Sequence, residues 1–214
     1  MPISLVTRTL YGKINSKKPQ NSSSYGQFVH NYMSKKAHES YDHIKPFIKK
    51  TDKILDIGLG AGTFASFLKR RGYKISGVDV VNLSLYSDIQ PDLYNGKKLP
   101  YKNNQFDVAL LISVLHHCGP KNENKRVLAE AMRVSKKVIL IEDSYRNELE
   151  RKIVSAIDQI ANWEFWRHKY LTNREWFSLI HKMKWHTVFS KQYSQFAFGI
   201  LYTHYCMFVL QKKI

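Results

Sequence analysis

Three glycines stand at the point where the chain passes from an apolar run to a helical pattern. The stretch KILDIGLGAGTFASFL, residues 53–68, ends its apolar run beside Asp56 and places Gly58, Gly60 and Gly62 at alternate positions. A tight turn needs only one glycine. Because glycine accepts a positive φ and lets a ligand contact the backbone, three of them predict a loop that a ligand approaches closely.

Strands and helices must position this loop. The hydrophobic patterns predict, in chain order, a strand at 53–58, a helix at 63–72, strands at 73–80 and 106–115, a helix at 125–134 and a strand at 136–143. Apolar strands that alternate with helices predict an α/β fold, a doubly wound, mostly parallel sheet with helices on both faces. In such folds ligands bind at the carboxyl edge of the sheet, where the glycine loop is expected.

The remaining segments predict a lid and a closing hairpin. Residues 1–49 read as an N-terminal segment and helix, and 50–214 as the main domain, with a substrate-lid insertion at about 144–172. A helix is predicted from Asn173, which is taken as its N-cap. Two strands in succession at the end of the chain predict a terminal antiparallel pair on the sheet edge.

Composition narrows the class of protein. The chain has 214 residues, 43% hydrophobic and 24% charged, as in soluble globular proteins. Its two cysteines, Cys118 and Cys206, form no CxxC, which excludes a disulfide framework and a zinc cluster. No residue cluster predicts a catalytic metal. The absence of a secretory pattern predicts a cytoplasmic location.

The formal net charge of +17 invites a nucleic-acid interpretation. The charge is, however, spread along the chain and lowest per residue around the glycines. It therefore favours a solvated basic surface over a nucleic-acid groove. Peripheral contact with a membrane surface stays open.

The order of the glycines identifies a family resemblance. The dinucleotide fingerprint is G-x-G-x-x-G, and a P-loop ends in Gly-Lys-Ser/Thr; neither fits. The spelling DIGLGAG resembles motif I of the class I S-adenosylmethionine (SAM) dependent methyltransferases. GVDV places Asp79 at the end of the second strand, where a carboxylate can accept the ribose hydroxyls. The stretch YNGKKLPYKNNQFDVALLISVLHH, residues 94–117, is similar to a later segment of the family, with Asn95 where many members have aspartate.

The resemblance covers about residues 50–145 and implies a Rossmann-like fold with SAM as cofactor and S-adenosylhomocysteine (SAH) as product. The cofactor contacts that it implies are Asp56, Gly58, Gly60, Gly62, Asp79, Val80, Asn95, Gly96, Ser113 and His116.

Candidate catalytic residues follow the later strands. His116 and His117 come after the strand at 106–115, and Glu142 ends the next one. Each could remove a proton from a methyl acceptor, although packing under the cofactor explains His116 at least as well. Trp163, Trp166 and Tyr170 read either as a stacking surface for a flat substrate or as core.

The predicted function is methyl transfer to an oxygen or nitrogen of a small molecule. The alternatives are an RNA methyltransferase, a non-catalytic SAM-binding protein, and an enzyme that meets a lipid or quinone at a membrane.

Overall fold

The computed structural model describes residues 24–118, 123–162, 168–183, 185–197 and 201–212. Residues 1–23 of the predicted N-terminal segment, and Trp163 and Trp166 of the predicted lid, lie outside these ranges. The first half consists, in order, of helix α1 (Ser24–Ile44), a 3-10 turn (Lys45–Phe47), strand β1 (Lys53–Ile57), helix α2 (Thr63–Arg70), strand β2 (Lys74–Asp79) and strand β3 (Pro91–Leu93).

The second half contains both the predicted strands and the closing hairpin. Its elements are strand β4 (Phe106–Ile112), a 3-10 turn (Leu115–His117), helix α3 (Glu123–Val134), strand β5 (Ser135–Ser144), helices α4 (Glu148–Asn162) and α5 (Asn173–Lys182), and strands β6 (His186–Ala197) and β7 (Leu201–Gln211). Among the described helices, none is both long and apolar enough to cross a membrane.

The seven strands form one mixed sheet in the order β3-β2-β1-β4-β5-β7-β6. β1, β2 and β3 pair in parallel, as do β4 and β5, whereas β7 runs antiparallel to both β5 and β6. The predicted Rossmann-like α/β class with a terminal antiparallel pair is confirmed. The short edge strand β3 was not predicted, because PDL carries no alternating or apolar pattern.

The chain divides into two compact units, of which the first ends at Gly96 and the second begins at Lys97. The predicted boundary at residues 49 and 50 stays a prediction. In the first unit β1 is buried at every position after Lys53, and its register sets Asp56 opposite Gly77 and Ile57 opposite Val78. The loop that leaves β1 packs through Leu59 on Ala65 and Ile89. This packing holds the loop against helix α2.

In the second unit the long strand β5 pairs with β4 on one side and β7 on the other. Its parallel partner β4 sets Leu111 opposite Leu140, and its antiparallel partner β7 sets Cys206 opposite Glu142. The apolar stretch from Val138 to Ile141 is fully buried. Buried parallel strands read as continuous hydrophobic runs for this reason, and β5 then carries its two acids, Glu142 and Asp143, into the interior.

Candidate functional site

The loop after β1 takes the left-handed backbone conformation three times. Gly58, Gly60 and Gly62 have φ values of 79°, 53° and 76°, a region that costs residues with a Cβ atom about 1–2 kcal/mol. Gly60 and Gly62 then differ. A Cβ on Gly60 would meet no described atom within 4 Å, whereas one on Gly62 would lie 2.7 Å from Ser84 Oγ. Gly60 therefore leaves open space for a ligand, and Gly62 lets the 84–89 segment pack on the start of α2.

Asp79 ties the end of β2 to this loop. Its Oδ2 accepts a hydrogen bond from the Gly60 backbone N–H at 2.9 Å, and its Oδ1 accepts one from the Val80 N–H at 2.6 Å. Asp79 thus closes the turn and also places a carboxylate beside Gly60.

Asp56 is a buried acid at the carboxyl end of β1. Asp56 is 5% exposed, and no hydrogen bond from a described residue offsets the effect of its burial. Burial, with a smaller contribution from the nearby Asp79 charge, raises the pKa of Asp56 to about 7. Because desolvation disfavours the charged form, a cationic group beside Asp56 would restore its ionisation.

The other predicted cofactor contacts in the first unit follow β2 and β3. Val80 comes directly after Asp79 and is half-buried, while Asn95 is exposed. Gly96 has φ 76°, and a Cβ placed there would lie 3.5 Å from Val80 Cγ1. The Tyr94 backbone N–H donates to the Asp79 carbonyl at 3.0 Å. The structure therefore brings Val80 and Gly96 together at the end of β2.

In the second unit, β4 ends in a turn that Glu142 holds. Ser113 has φ 53°, an uncommon value for a residue with a Cβ atom. After it, the backbone N–H groups of Val114 and Leu115 both donate to Glu142 Oε1, at 2.9 and 2.6 Å. Glu142 is fully buried. Its carboxylate thus anchors the start of the 3-10 turn.

The second oxygen of Glu142 faces His116. Glu142 Oε2 lies 2.8 Å from His116 Nδ1, and we assign the proton to Nδ1 because a carboxylate accepts hydrogen bonds. Asp143 Oδ2 is 3.9 Å from the same nitrogen. One ligand atom from each of His116, Glu142 and Asp143 lies within 4.8 Å of the others, a juxtaposition that the sequence did not predict. The facing atoms of Glu142 and His116 are already hydrogen-bonded to each other, which favours a structural pair over a metal site.

Three further rings surround His116 in a group that we call the four-ring cluster, defined as His116, His117, His168 and Tyr170. The His117 ring lies 4.1 Å from His116 and 4.4 Å from His168, centroid to centroid. Tyr170 stacks on His116 at 5.0 Å, and its hydroxyl is 3.3 Å from His168 Nδ1. The Lys169 backbone N–H also donates to the His116 carbonyl at 3.0 Å. The predicted lid residue Tyr170 therefore packs on the predicted site residue His116.

Burial separates the members of this cluster. His116, His168 and Tyr170 are 2%, 8% and 6% exposed, whereas His117 is only partly buried. His168 was not predicted from sequence. It is one of nine histidines and shares no spacing pattern with the LHH segment, about 50 residues earlier. The nearness of His168 to His117 follows only from the fold, in which the backbone at Lys169 is hydrogen-bonded to His116.

Part of the chain matches a known protein family. Residues 55–138 match the family described as methyltransferase domain. No curated protein matches the chain. The family match spans the glycine loop, Asp79 and the turn after β4.

Several solved structures share the fold. A SAM-dependent methyltransferase from Methanosarcina mazei is 19% identical, with 81% of this chain and 98% of that chain covered and a TM-score of 0.65. A 1,6-didemethyltoxoflavin-N1-methyltransferase from Burkholderia thailandensis, with 1,6-didemethyltoxoflavin and SAH bound, is 16% identical, with 98% of this chain and 89% of that chain covered and a TM-score of 0.63. A magnesium protoporphyrin IX methyltransferase from Synechocystis PCC 6803, with SAH bound, is 13% identical, with 97% and 95% covered and a TM-score of 0.63. These likenesses confirm the fold predicted from the resemblance.

Proposed function

We propose that the protein is an enzyme that methylates an oxygen or nitrogen of a small molecule. It has the fold of class I SAM-dependent methyltransferases, and residues 55–138 match the methyltransferase-domain family. SAM is the proposed methyl donor and SAH the product. The proteins of similar fold from Burkholderia thailandensis and Synechocystis PCC 6803 were solved with SAH bound.

The observation that carries the cofactor proposal is the buried Asp56 carboxylate beside an open loop. SAM contains a cationic ammonium and a cationic sulfonium, and SAH retains the ammonium. Asp56 has no donor among the described residues, and the pKa of its carboxyl is raised to about 7, as expected for an acid that lacks a cationic partner. Gly60 leaves the loop open, and Asp79 offers carboxylate oxygens that suit the hydroxyls of a ribose. These residues fit the cofactor.

Bound SAM would supply an electrophilic methyl group on a positively charged sulfur. The protein must then orient the acceptor, exclude water and take up one proton when the acceptor is an O–H or N–H group. Transfer would break the donor's S–CH3 bond and the acceptor's X–H bond and form one X–CH3 bond. The protein would take up the proton, and SAH would be left as the product.

His117 is the residue that we propose as the base. His116 and Glu142 are almost fully buried and hold each other through the 2.8 Å contact, so they are suited to positioning the turn. His117 adjoins them and is only partly buried, and imidazole is the side chain that most often serves as a general base. Ser113 and His116 remain predictions as cofactor contacts.

A small-molecule acceptor is favoured over RNA because the least basic part of the chain surrounds the glycine loop, where residues 51–143 carry 14 basic and 10 acidic side chains. The Burkholderia and Synechocystis neighbours are described by small-molecule acceptors. An RNA substrate would require binding that weakens steeply with salt.

The test has a binding arm and a transfer arm. In calorimetry, we expect SAH to bind the full chain, and Asp79→Asn to weaken binding at least about tenfold, equivalent to about 1.4 kcal/mol. Asp92→Asn, an exposed aspartate in the same unit, is the matched control and should leave binding unchanged. Failure of SAH to bind the wild type would refute the cofactor proposal.

In the transfer arm, SAM labelled in its methyl group is incubated with pooled metabolites and, separately, with RNA. Label in the metabolite pool supports the proposed acceptor class. Label in RNA alone would replace it with the RNA alternative. SAH binding with no transfer to either pool would support the non-catalytic alternative.

A further inference from the structure

We propose that His168 is a positioning residue for His117, and that Tyr170 and the backbone of Lys169 fix His168 in turn. The inference rests on the proposed methyl transfer, because it assigns a catalytic use to His117. The four-ring cluster carries it.

The first step of the argument is that the His117 ring has imidazole neighbours on two sides. His116 lies 4.1 Å away at an interplanar angle of 39°, and His168 lies 4.4 Å away at 67°. His116 is fixed through its Nδ1 by Glu142. One neighbour of His117 is thus anchored to β5, and the other comes from the segment before α5.

The second step is that His168 is itself held firmly. The Tyr170 hydroxyl is 3.3 Å from His168 Nδ1, while the Tyr170 ring stacks on His116 at 24°. The Lys169 backbone N–H donates a hydrogen bond to the His116 carbonyl at 3.0 Å, and this bond fixes the backbone between His168 and Tyr170. Contacts therefore run in a closed circuit from His116 through His117, His168 and Tyr170 back to His116.

The third step is that only one member of the circuit is open to an acceptor. His116, His168 and Tyr170 are all less than 9% exposed, whereas His117 is partly buried. Two buried imidazoles in contact with one accessible imidazole are an arrangement that orients the accessible ring, and a general base contributes only when its nitrogen is correctly aimed. His168 would act through His117 and need not contact the acceptor.

The experiment that tests orientation uses the full chain labelled with 15N-histidine. We expect His168→Gln to change the ring 15N shifts of His117 more than those of His116, which Glu142 still holds. Tyr170→Phe retains the stacked ring and loses only the hydroxyl, so it should change His117 in the same direction by less. His181→Gln, an exposed histidine on α5, is the matched control and should change neither ring. Unaltered His117 resonances in both His168→Gln and Tyr170→Phe would overturn the proposal.

Kinetics provide a readout that a purely structural role would not produce. With labelled SAM and with phenol and imidazole as probe acceptors, His117→Gln should lower kcat about 100-fold and His168→Gln about tenfold or more, with little change in KM or in SAH binding. If His168 works through His117, the double variant should be no slower than His117→Gln alone. Additive losses in the double variant would contradict the positioning role.

The two proposals can fail separately. If the wild type transfers label to no acceptor while His168→Gln still alters the His117 ring, the positioning contact stands and the proposed function falls. If transfer occurs and His168→Gln retains wild-type kcat, the proposed function stands and the positioning role falls.

Discussion

Asp56→Asn should stabilise the unliganded protein, and the gain should grow with pH. In the folded protein the carboxyl is almost fully buried, with Asp79 nearby, and its pKa is raised from 3.8 to about 7. Between those pH values the folded state binds more protons than the unfolded chain. The contribution of the protonated Asp56 carboxyl to the free energy of unfolding is therefore fully present below about pH 4 and is lost as pH rises through 7. A rise of this size corresponds to about 4 kcal/mol at alkaline pH, at about 1.4 kcal/mol for each tenfold change in proton affinity.

Urea unfolding of both proteins, without ligand, measures this effect. The amide cannot ionise, so Asp56→Asn should exceed the wild type by about 4 kcal/mol at pH 8.5 and by less than about 2 kcal/mol at pH 5. The difference between the two proteins cancels the pH dependence of every other group. Asp88→Asn, which removes an exposed acid 3.8 Å from Lys69, is the control and should change stability by less than about 0.5 kcal/mol at any pH. A difference between Asp56→Asn and wild type that stays constant across this pH range would refute the reasoning.

Other substitutions separate the roles of neighbouring residues. Gly60→Ala should cost about 1–2 kcal/mol of stability from its positive φ and should also abolish SAH binding in calorimetry, because the open space is filled. Gly62→Ala should be the more destabilising of the pair in urea, since its Cβ would lie 2.7 Å from Ser84 Oγ; equal stabilities would contradict the distinction between the two glycines. Glu142→Gln can still accept from the Val114 and Leu115 N–H groups, but its amide must then donate to His116 Nδ1, so 15N NMR should show the His116 proton moved to Nε2 and unfolding should show a loss of about 1–2 kcal/mol. An unchanged His116 tautomer would argue against the assigned donor. Thr172→Ala removes the N-cap of α5 and should cost about 1 kcal/mol in urea, and a cost near zero would show that tertiary packing alone sets the start of the helix.

The start of helix α5 differs by one residue from the prediction. Asn173 was predicted as the N-cap, but the structure assigns that role to Thr172, whose side chain accepts from the Glu175 N–H. The Glu175 carboxylate in turn accepts from the Thr172 N–H, which completes a capping box. Both residues are good N-caps. The glutamate three positions later decides between them, and that signal is present in the sequence.

Much of the proposed cofactor site could be predicted because it lies on consecutive strands. The glycine loop and Asp79 follow β1 and β2, and hydrophobic patterning is enough to place both at the ends of parallel neighbours. The sequence could not predict how the glycines divide their roles. That division depends on Ser84, which reaches Gly62 only because the 84–89 segment folds back onto α2.

By itself, the sequence determined the fold class, the glycine loop and the acids near the strand ends, because hydrophobic periodicity and residue spacing are local properties of the chain. The tertiary structure alone decided which of the later side chains are buried and which remain accessible. It made Glu142 an anchor for the turn after β4, and it joined His168 and Tyr170 to His116 across about 50 residues of chain. Hydrophobic periodicity indicates which face of an element is buried. It does not indicate which residues of two distant segments will be in contact.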